Sequence, residues 1–208
     1  RVVSLVLGSL LLVGSLGLRA TGGTLAFADT ALRDDAGFLM SGDQTLTTDT
    51  YALTSTSMEV HADAPAAFMP DRLIGDAKVT ATGNSDLPVF VGVAATADVD
   101  AFLGATSHAM VTNLDNDPDY ATSGTAAPAM LPGDSDIWVA QSSGTGTQEL
   151  TWTVEEGDWT MLVMNADGSR GVTADLAAGA TIPALDWIIP TLLISAGIGL
   201  MAAIALLV

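Results

Sequence analysis

The stretch Gln148–Leu176, QELTWTVEEGDWTMLVMNADGSRGVTADL, decides the fold, because apolar and polar residues alternate in three runs. Alternation with a period of two is typical of half-buried β-strands. These runs therefore predict three consecutive antiparallel strands, at Gln148–Val154, Trp159–Met164 and Gly171–Leu176.

Two polar segments that contain glycine separate the three runs and predict the turns between them. They are Glu155-Glu156-Gly157-Asp158 and Asn165-Ala166-Asp167-Gly168. Glycine accepts the positive φ of tight turns, and Asn and Asp hydrogen-bond to their own backbone there. The first turn would place Trp152 beside Trp159 across a hairpin, where an aromatic pair adds stability.

Upstream of this region, further runs also have strand character. They are Thr50–Ser55, Ser57–Ala62, Ala77–Gly83, Leu87–Ala94, Ala109–Leu114 and Ile137–Gln141. One short helix is predicted at Ala97–Leu103, with Thr96 as its N-cap. About nine strands and one helix predict a mainly β fold, a β-sandwich, with a β-barrel as the alternative.

The segment Asp115–Asp136 is rich in Asp, Pro, Gly, Ala and Thr, and predicts a long surface loop. At its start, Asp115, Asp117 and Asp119 occupy alternate positions, as in the opening of an EF-hand calcium loop. The Gly and the bidentate Glu that such a loop also needs do not follow at the required spacing. The three aspartates are therefore a candidate calcium site, with a solvated acidic loop as the alternative.

The charge of the chain is strongly negative. All 24 acidic residues lie between Asp29 and Asp186, and the net charge is −18. Such a surface repels nucleic acid and attracts cations or basic protein patches, so no nucleic-acid partner is expected. An acidic surface is also typical of adaptation to salt, which is the alternative interpretation.

The sequence carries no recognisable catalytic motif. It has no cysteine, which excludes disulfides, thiolate metal sites and covalent haem attachment. Glu59, His61 and Asp63 alternate and could begin a metal site on one strand face, with a solvated strand face as the alternative. His108 has no acid nearby in sequence for a catalytic triad. We therefore expect a protein that is not an enzyme and that holds no cofactor other than the candidate calcium ion.

The apolar segment Trp187–Val208 contains no charged side chain. As a helix it would extend about 33 Å, enough for a hydrocarbon core of about 30 Å. Asp186 is a candidate N-cap, and Trp187 is a candidate contact with the membrane interface. Small residues recur every four positions, which favours close packing with another helix or reflects their general enrichment in membrane helices. They are Ser195, Gly199 and Ala203.

A second apolar segment, Val2–Leu18, would extend about 25 Å as a helix and must continue further to cross a bilayer. Arg19 would then lie near the outer interface, where it either snorkels to the headgroups or pairs with an acid on a partner helix. Ser4 and Gly8 form another small-residue pair for helix packing. The alternative is a signal peptide cleaved after Ala26-Phe27-Ala28.

These features predict three parts: an N-terminal transmembrane helix at 1–28, an acidic extracytoplasmic β-sandwich domain at 29–183 and a C-terminal transmembrane helix at 184–208. Because the middle domain is poor in Lys and Arg, the positive-inside rule places it outside and both termini in the cytoplasm. The expected location is the plasma membrane, crossed twice. The expected partners are the lipid bilayer and other integral membrane proteins.

Several stretches carry a resemblance to a known group of proteins. They are Arg33–Met40, Pro88–Ala94, Thr96–Val99 with Phe102-Leu103, Gly157–Thr160 and Val163–Val172. In their order the chain resembles uncharacterised actinobacterial membrane proteins, in which two transmembrane helices flank an extracytoplasmic β-domain. As an architecture the resemblance covers most of the chain. It implies an actinobacterial plasma membrane, and it implies no activity and no functional residues.

Two hypotheses of function follow. The first is a non-enzymatic accessory or structural subunit of a larger plasma-membrane complex, in one concrete version an actinobacterial respiratory supercomplex. The second is a stand-alone surface binding module for calcium, glycan or cell-wall material. Trp138, Trp152 and Trp159 would form a sugar platform if they share an exposed face, and packing inside the sandwich is the alternative.

Overall fold

The computed structural model describes residues 33–60, 75–84, 87–113 and 118–207. The chain divides into two compact units. Of the described residues, one contains 40–60, 76–84, 87–113 and 118–180, and the other contains 33–39, 75 and 181–207.

The first unit is built mainly from β-strands, which confirms the prediction of a mainly β fold. In chain order the strands of the described residues are β1 (Leu39–Met40), β2 (Gln44–Thr48), β3 (Ala52–Thr54), β4 (Met58–Val60), β5 (Asp76–Gly83), β6 (Val89–Ala95), β7 (His108–Asn113), β8 (Asp119–Ser123), β9 (Ala140–Gly144), β10 (Thr147–Thr153), β11 (Gly157–Asn165) and β12 (Val172–Ala180). The helices are α1 (Thr96–Leu103), a 3-10 helix (Pro132–Asp134) and α2 (Leu185–Leu207).

The strands form two sheets. Sheet A has the order β1-β12-β5-β10, with β2 also paired to β12. Sheet B has the order β8-β7-β3-β11-β6-β9, with β4 also paired to β11. β3 and β7 run parallel, with Ala52 opposite His108. One cluster of buried side chains draws Leu46, Val79 and Leu176 from sheet A and Leu53, Val91 and Val163 from sheet B, so the two sheets pack as a sandwich.

A second buried cluster lies on the outer face of sheet B. Along β11, Val163 faces sheet A, whereas Leu162 and Met164 face outward. Val99 and Leu103 of α1 pack in this outer cluster. The alternation that marks a strand therefore separates two cores here, and each fully buried side chain of this size contributes about 1.5–3 kcal/mol.

The three strands predicted at Gln148–Leu176 exist, but their predicted pairing is wrong. β10 pairs with β5 in sheet A, and β11 pairs with β3, β4 and β6 in sheet B. β12 returns to sheet A beside β5 and β2. Trp152 therefore lies opposite Ala77, and Trp159 lies opposite Met58 and Ala95. The segment Glu155–Asp158 carries the chain from one sheet to the other and does not close a hairpin.

Other predictions differ in detail. The described residues form twelve strands, whereas about nine were predicted. The missed strands are β1, β2 and β8. β8 and the 3-10 helix lie inside the segment that was predicted to be a loop, and β12 continues to Ala180. The helix α1 is confirmed, but it begins at Thr96. The Thr96 hydroxyl does not cap it and instead shares hydrogen bonds with Thr160 and Ser57.

In the second unit, α2 begins at Leu185, so Asp186 lies within the first turn and is not the N-cap. Asp186 Oδ1 lies 3.5 Å from Nη2 of Arg33. Side chains of α2 are described at 186, 188–198, 200 and 201. Among the described residues, no helix combines the length and apolar character that crossing a membrane requires. Val2–Leu18 lies outside the described residues.

Candidate functional site

Each sheet contains a strand that is interrupted beside a long neighbour. β1 and β2 follow one another along β12, and β3 and β4 follow one another along β11. The first break includes Ser41 and the second includes Ser55. These breaks leave positions where a continuous strand would offer a backbone carbonyl to its neighbour.

The serine hydroxyl takes the place of that carbonyl at both breaks. Ser41 N donates to Ala178 O at 2.8 Å, and Ala178 N donates to Ser41 Oγ at 3.0 Å. Ser55 N donates to Met161 O at 3.0 Å, and Met161 N donates to Ser55 Oγ at 3.0 Å. Because the N–H and C=O groups of Ala178 and Met161 are hydrogen-bonded at the breaks, both breaks are regular parts of the sandwich.

An apolar cleft lies between the sheets beside the two breaks. Its larger part has a volume of about 350 Å³ and reaches Ser41, and an adjoining part of about 80 Å³ reaches Ser55. Leu46, Met161 and Leu176 line both parts, which therefore lie side by side. The remaining walls are also largely apolar: Leu53, Val79, Val111, Val163 and Ala177.

The described lining of the cleft carries no charged side chain. Its polar groups are hydroxyls and one amide, from Ser41, Gln44, Thr54, Ser55 and Thr56. An isolated charge in such surroundings would lose hydration without gaining a counter-ion. The arrangement can therefore hold an apolar molecule with an uncharged polar end. Among the described lining residues, none offers an acid, a base or a charged nucleophile for catalysis.

The tryptophans lie in two different layers. Trp138 packs on the outer face of sheet B, with its ring centroid 5.2 Å from that of Phe90 and 5.5 Å from that of Phe102. Its Nε1 donates to Pro132 O at 2.8 Å. Trp152 and Trp159 pack against the core between the sheets. The three rings therefore share no exposed face that could act as a sugar platform.

Neither histidine supplies a described catalytic or metal centre. His61 lies outside the described residues. The ring Nδ1 of His108 is 2.9 Å from Thr106 O. Within the described ranges, no group of three or more His, Asp or Glu side chains could hold a metal ion.

The calcium candidate is described only at one of its three residues. Asp115 and Asp117 lie outside the described residues, and Asp119 is an exposed residue of β8. The backbone oxygen of Asp119 accepts a hydrogen bond of 3.2 Å from Thr112 Oγ1. The calcium site therefore stays a prediction.

The candidates for membrane contact and helix packing are described only in part. Ser4, Gly8 and Arg19 lie outside the described residues. The side chains at Trp187, Gly199 and Ala203 are likewise not described. Ser195 is exposed, and its neighbour Ala196 is fully buried. The small-residue stripe stays a prediction.

Reasoning from sequence missed Ser41 and Ser55. Each is the first residue of a three-residue break between two strand-like runs. That signal indicates a boundary between strands. It does not reveal that both boundaries meet at one cleft, because this depends on the pairing with β12 and β11.

No protein-family model and no curated protein matches the sequence. The resemblance to actinobacterial membrane proteins therefore stays a prediction.

Proposed function

We propose that this chain is a non-enzymatic accessory subunit of a larger plasma-membrane complex, anchored by its C-terminal helix. The observation that carries the proposal is the row of large apolar side chains that α2 exposes. Ile194, Ile198 and Met201 are 62%, 66% and 70% exposed, and Leu193 is 40% exposed. Positions 194, 198 and 201 share one helix face, which needs an apolar environment.

The sequence of α2 supports a bilayer as that environment. Trp187–Val208 contains no charged residue and would extend about 33 Å as a helix, against about 30 Å for a hydrocarbon core. Nine of the 22 side chains of this segment lie outside the described ones, so its role as a membrane span is inferred from the sequence. Val2–Leu18 would supply the first of two spans, with both termini in the cytoplasm.

The charge of the chain supports a particular kind of partner. The region from Asp29 to Asp186 has 24 acidic and four basic residues. Outside the membrane this surface would attract an integral membrane protein with a basic extracytoplasmic face. A respiratory supercomplex of an actinobacterial plasma membrane is the concrete version of this proposal.

Protease digestion of intact cells tests whether the C-terminal helix anchors the chain in the membrane. In intact cells, external protease should digest the middle domain and spare a tag placed after Val208. Ile198→Arg should expose the tag, since an arginine at the centre of a membrane helix costs about 2.5–3.5 kcal/mol. Met130→Arg is the matched control, because Met130 is 47% exposed in the other unit, and it should leave the tag protected. Full protection of the middle domain would overturn the proposed topology.

Native electrophoresis after gentle solubilisation tests the complex. The chain should migrate with other membrane proteins at a mass well above its own 21.1 kDa. Ile198→Arg should release it from that band, and Met130→Arg should not. Migration of the wild-type chain only at its own mass would overturn the accessory role.

A further inference from the structure

The cleft between the sheets has no part in the proposed membrane attachment, and its dimensions suit a small apolar ligand. Ligand pockets typically enclose about 300–1,000 Å³. The larger part of the cleft encloses about 350 Å³. An apolar cavity of about 150 Å³ holds one benzene molecule, so a volume near 350 Å³ accommodates on the order of a dozen carbon atoms.

The apolar wall of the cleft extends over its two adjoining parts. Leu46, Met161 and Leu176 border both parts, so the apolar wall continues from the break at Ser41 to the break at Ser55. The hydroxyls at these breaks are held by their hydrogen bonds to Ala178 N and Met161 N. A flexible hydrocarbon chain can follow the wall while a polar end remains beside one break.

Charge restricts the polar end of the ligand. The described lining provides no cation to pair with a carboxylate or phosphate. The surrounding chain, with its net charge of −18, also repels anions. An uncharged headgroup, such as a glycerol, avoids both costs and can hydrogen-bond with hydroxyl and amide groups.

We propose that the cleft is a binding site for the hydrocarbon chain of a single-chain lipid with an uncharged headgroup. The chain lies against Leu46, Met161 and Leu176, and the headgroup lies beside Ser41. This site belongs entirely to the sandwich and does not depend on the membrane role of α2.

Two methionines of β11 provide the test. Met161 lines the cleft, whereas Met164 is buried in the outer cluster on the opposite face of sheet B. The full chain, labelled at its methionine methyl groups, is held in an amphipathic polymer, because detergent tails are themselves candidate ligands. Monolauroylglycerol is then added below its micelle concentration. The Met161 methyl resonance should shift and saturate at one ligand per chain, while that of Met164 stays in place.

Two outcomes of this titration would overturn the proposal. The first is a Met161 resonance that does not move. The second is a shift of equal size at Met58 and Met130, which are exposed, since this would indicate non-specific coating of the surface.

Single-residue variants test whether the ligand binds in the cleft. Leu176→Phe fills the cleft and should weaken binding by about tenfold or more. Leu131→Phe is the matched control, because Leu131 is 42% exposed and does not line the cleft. An unchanged Met164 resonance shows that each variant is folded, and Leu46→Phe replaces Leu176→Phe if that variant does not fold. Equal binding by the cleft variant and its control would contradict the site.

The anionic analogue laurate tests the headgroup. It carries the same hydrocarbon chain and should bind at least about tenfold more weakly than monolauroylglycerol, because its charge finds no partner in the cleft. Equal affinity for the two molecules would overturn the preference for an uncharged headgroup.

Discussion

At the scale of single residues, Gly92 controls how the outer face of sheet B packs. A Cβ atom at this position would lie 2.7 Å from Cε3 of Trp138 and 2.9 Å from Cε1 of Phe90. Both distances are shorter than non-bonded carbon atoms tolerate, since their optimum is about 3.5–4.0 Å. Gly92→Ala should therefore displace the Trp138 ring and lower the free energy of unfolding by about 1–3 kcal/mol.

Urea unfolding of the two glycine variants measures this effect. Gly133→Ala is the control, because a Cβ atom at Gly133 meets no heavy atom within 4 Å. Its free energy of unfolding should stay within about 0.5 kcal/mol of wild type. If both variants lose the same stability, the Trp138 contact does not explain the need for glycine.

Asp167 shows how a local hydrogen bond gives pH dependence. The Ser169 hydroxyl and the Ser169 N–H hold the pKa of Asp167 below its ordinary value, and the N–H bond to Oδ1 measures 2.9 Å. Because the folded pKa is lower than the unfolded one, the stabilisation is present above the unfolded pKa and is lost as pH falls through the folded pKa.

Ser169→Ala should raise the pKa of Asp167 toward its ordinary value, because the hydroxyl bond, which is the largest cause of the lowered pKa, is lost and only the backbone N–H bonds of Ser169 and Asp167 remain. Titration of the Asp167 carboxyl carbon by NMR measures the change. Ser142→Ala is the control, since the Ser142 hydroxyl donates to Gln148 Oε1 instead. An Asp167 pKa that is the same in Ser169→Ala and wild type would contradict this account.

At the scale of elements, the two strand breaks should differ in their cost. Ser55→Ala leaves Met161 N without its acceptor at a partly buried position, which costs about 1–3 kcal/mol. Ser41→Ala removes the acceptor of Ala178 N at an exposed position, where water can replace the hydroxyl. We therefore expect Ser55→Ala to lose more stability than Ser41→Ala.

Hydrogen exchange checks this difference amide by amide. The Met161 amide should exchange faster in Ser55→Ala, while the Ala178 amide should exchange faster only in Ser41→Ala. Equal losses of stability in the two variants would show that burial does not set the cost of the missing hydroxyl.

The same elements show how far the sequence predicts the fold. Alternation predicts β10 and β12 because each of these strands has one face toward the core, and the apolar run in β11 reflects the burial of both of its faces. Both patterns are local properties of the chain. The sequence pattern does not predict which strands pair. A polar segment with glycine, such as Glu155–Asp158, has the same composition whether the chain re-enters the same sheet or crosses to the other. β2 and β8 were missed because QTLTT and DYATS contain few large apolar residues. The cleft depends on the pairing of distant strands and was therefore beyond prediction.

At the scale of the whole molecule, negative charge is the dominant property. Between Asp29 and Asp186, 24 acidic residues stand against four basic ones, a balance of −20. Ion pairs such as Lys78 Nζ–Glu149 Oε2, at 3.1 Å, offset only a small part of it. Like charges on a compact domain repel one another more than they do in an expanded chain, so this surface destabilises the folded state at low salt.

Screening should therefore stabilise the protein. Raising NaCl from about 10 to 150 mM shortens the Debye length from about 30 to 8 Å, so the melting temperature should increase. Calorimetry measures the change, and a melting temperature that falls with NaCl would contradict it.

CaCl₂ at equal ionic strength separates the two interpretations of Asp115, Asp117 and Asp119. A solvated acidic loop should respond to calcium only modestly more than to sodium, and Asp117→Asn should not alter that response. A calcium-specific increase that Asp117→Asn abolishes would instead establish the calcium site, since the neutral amide removes one of three charged ligands.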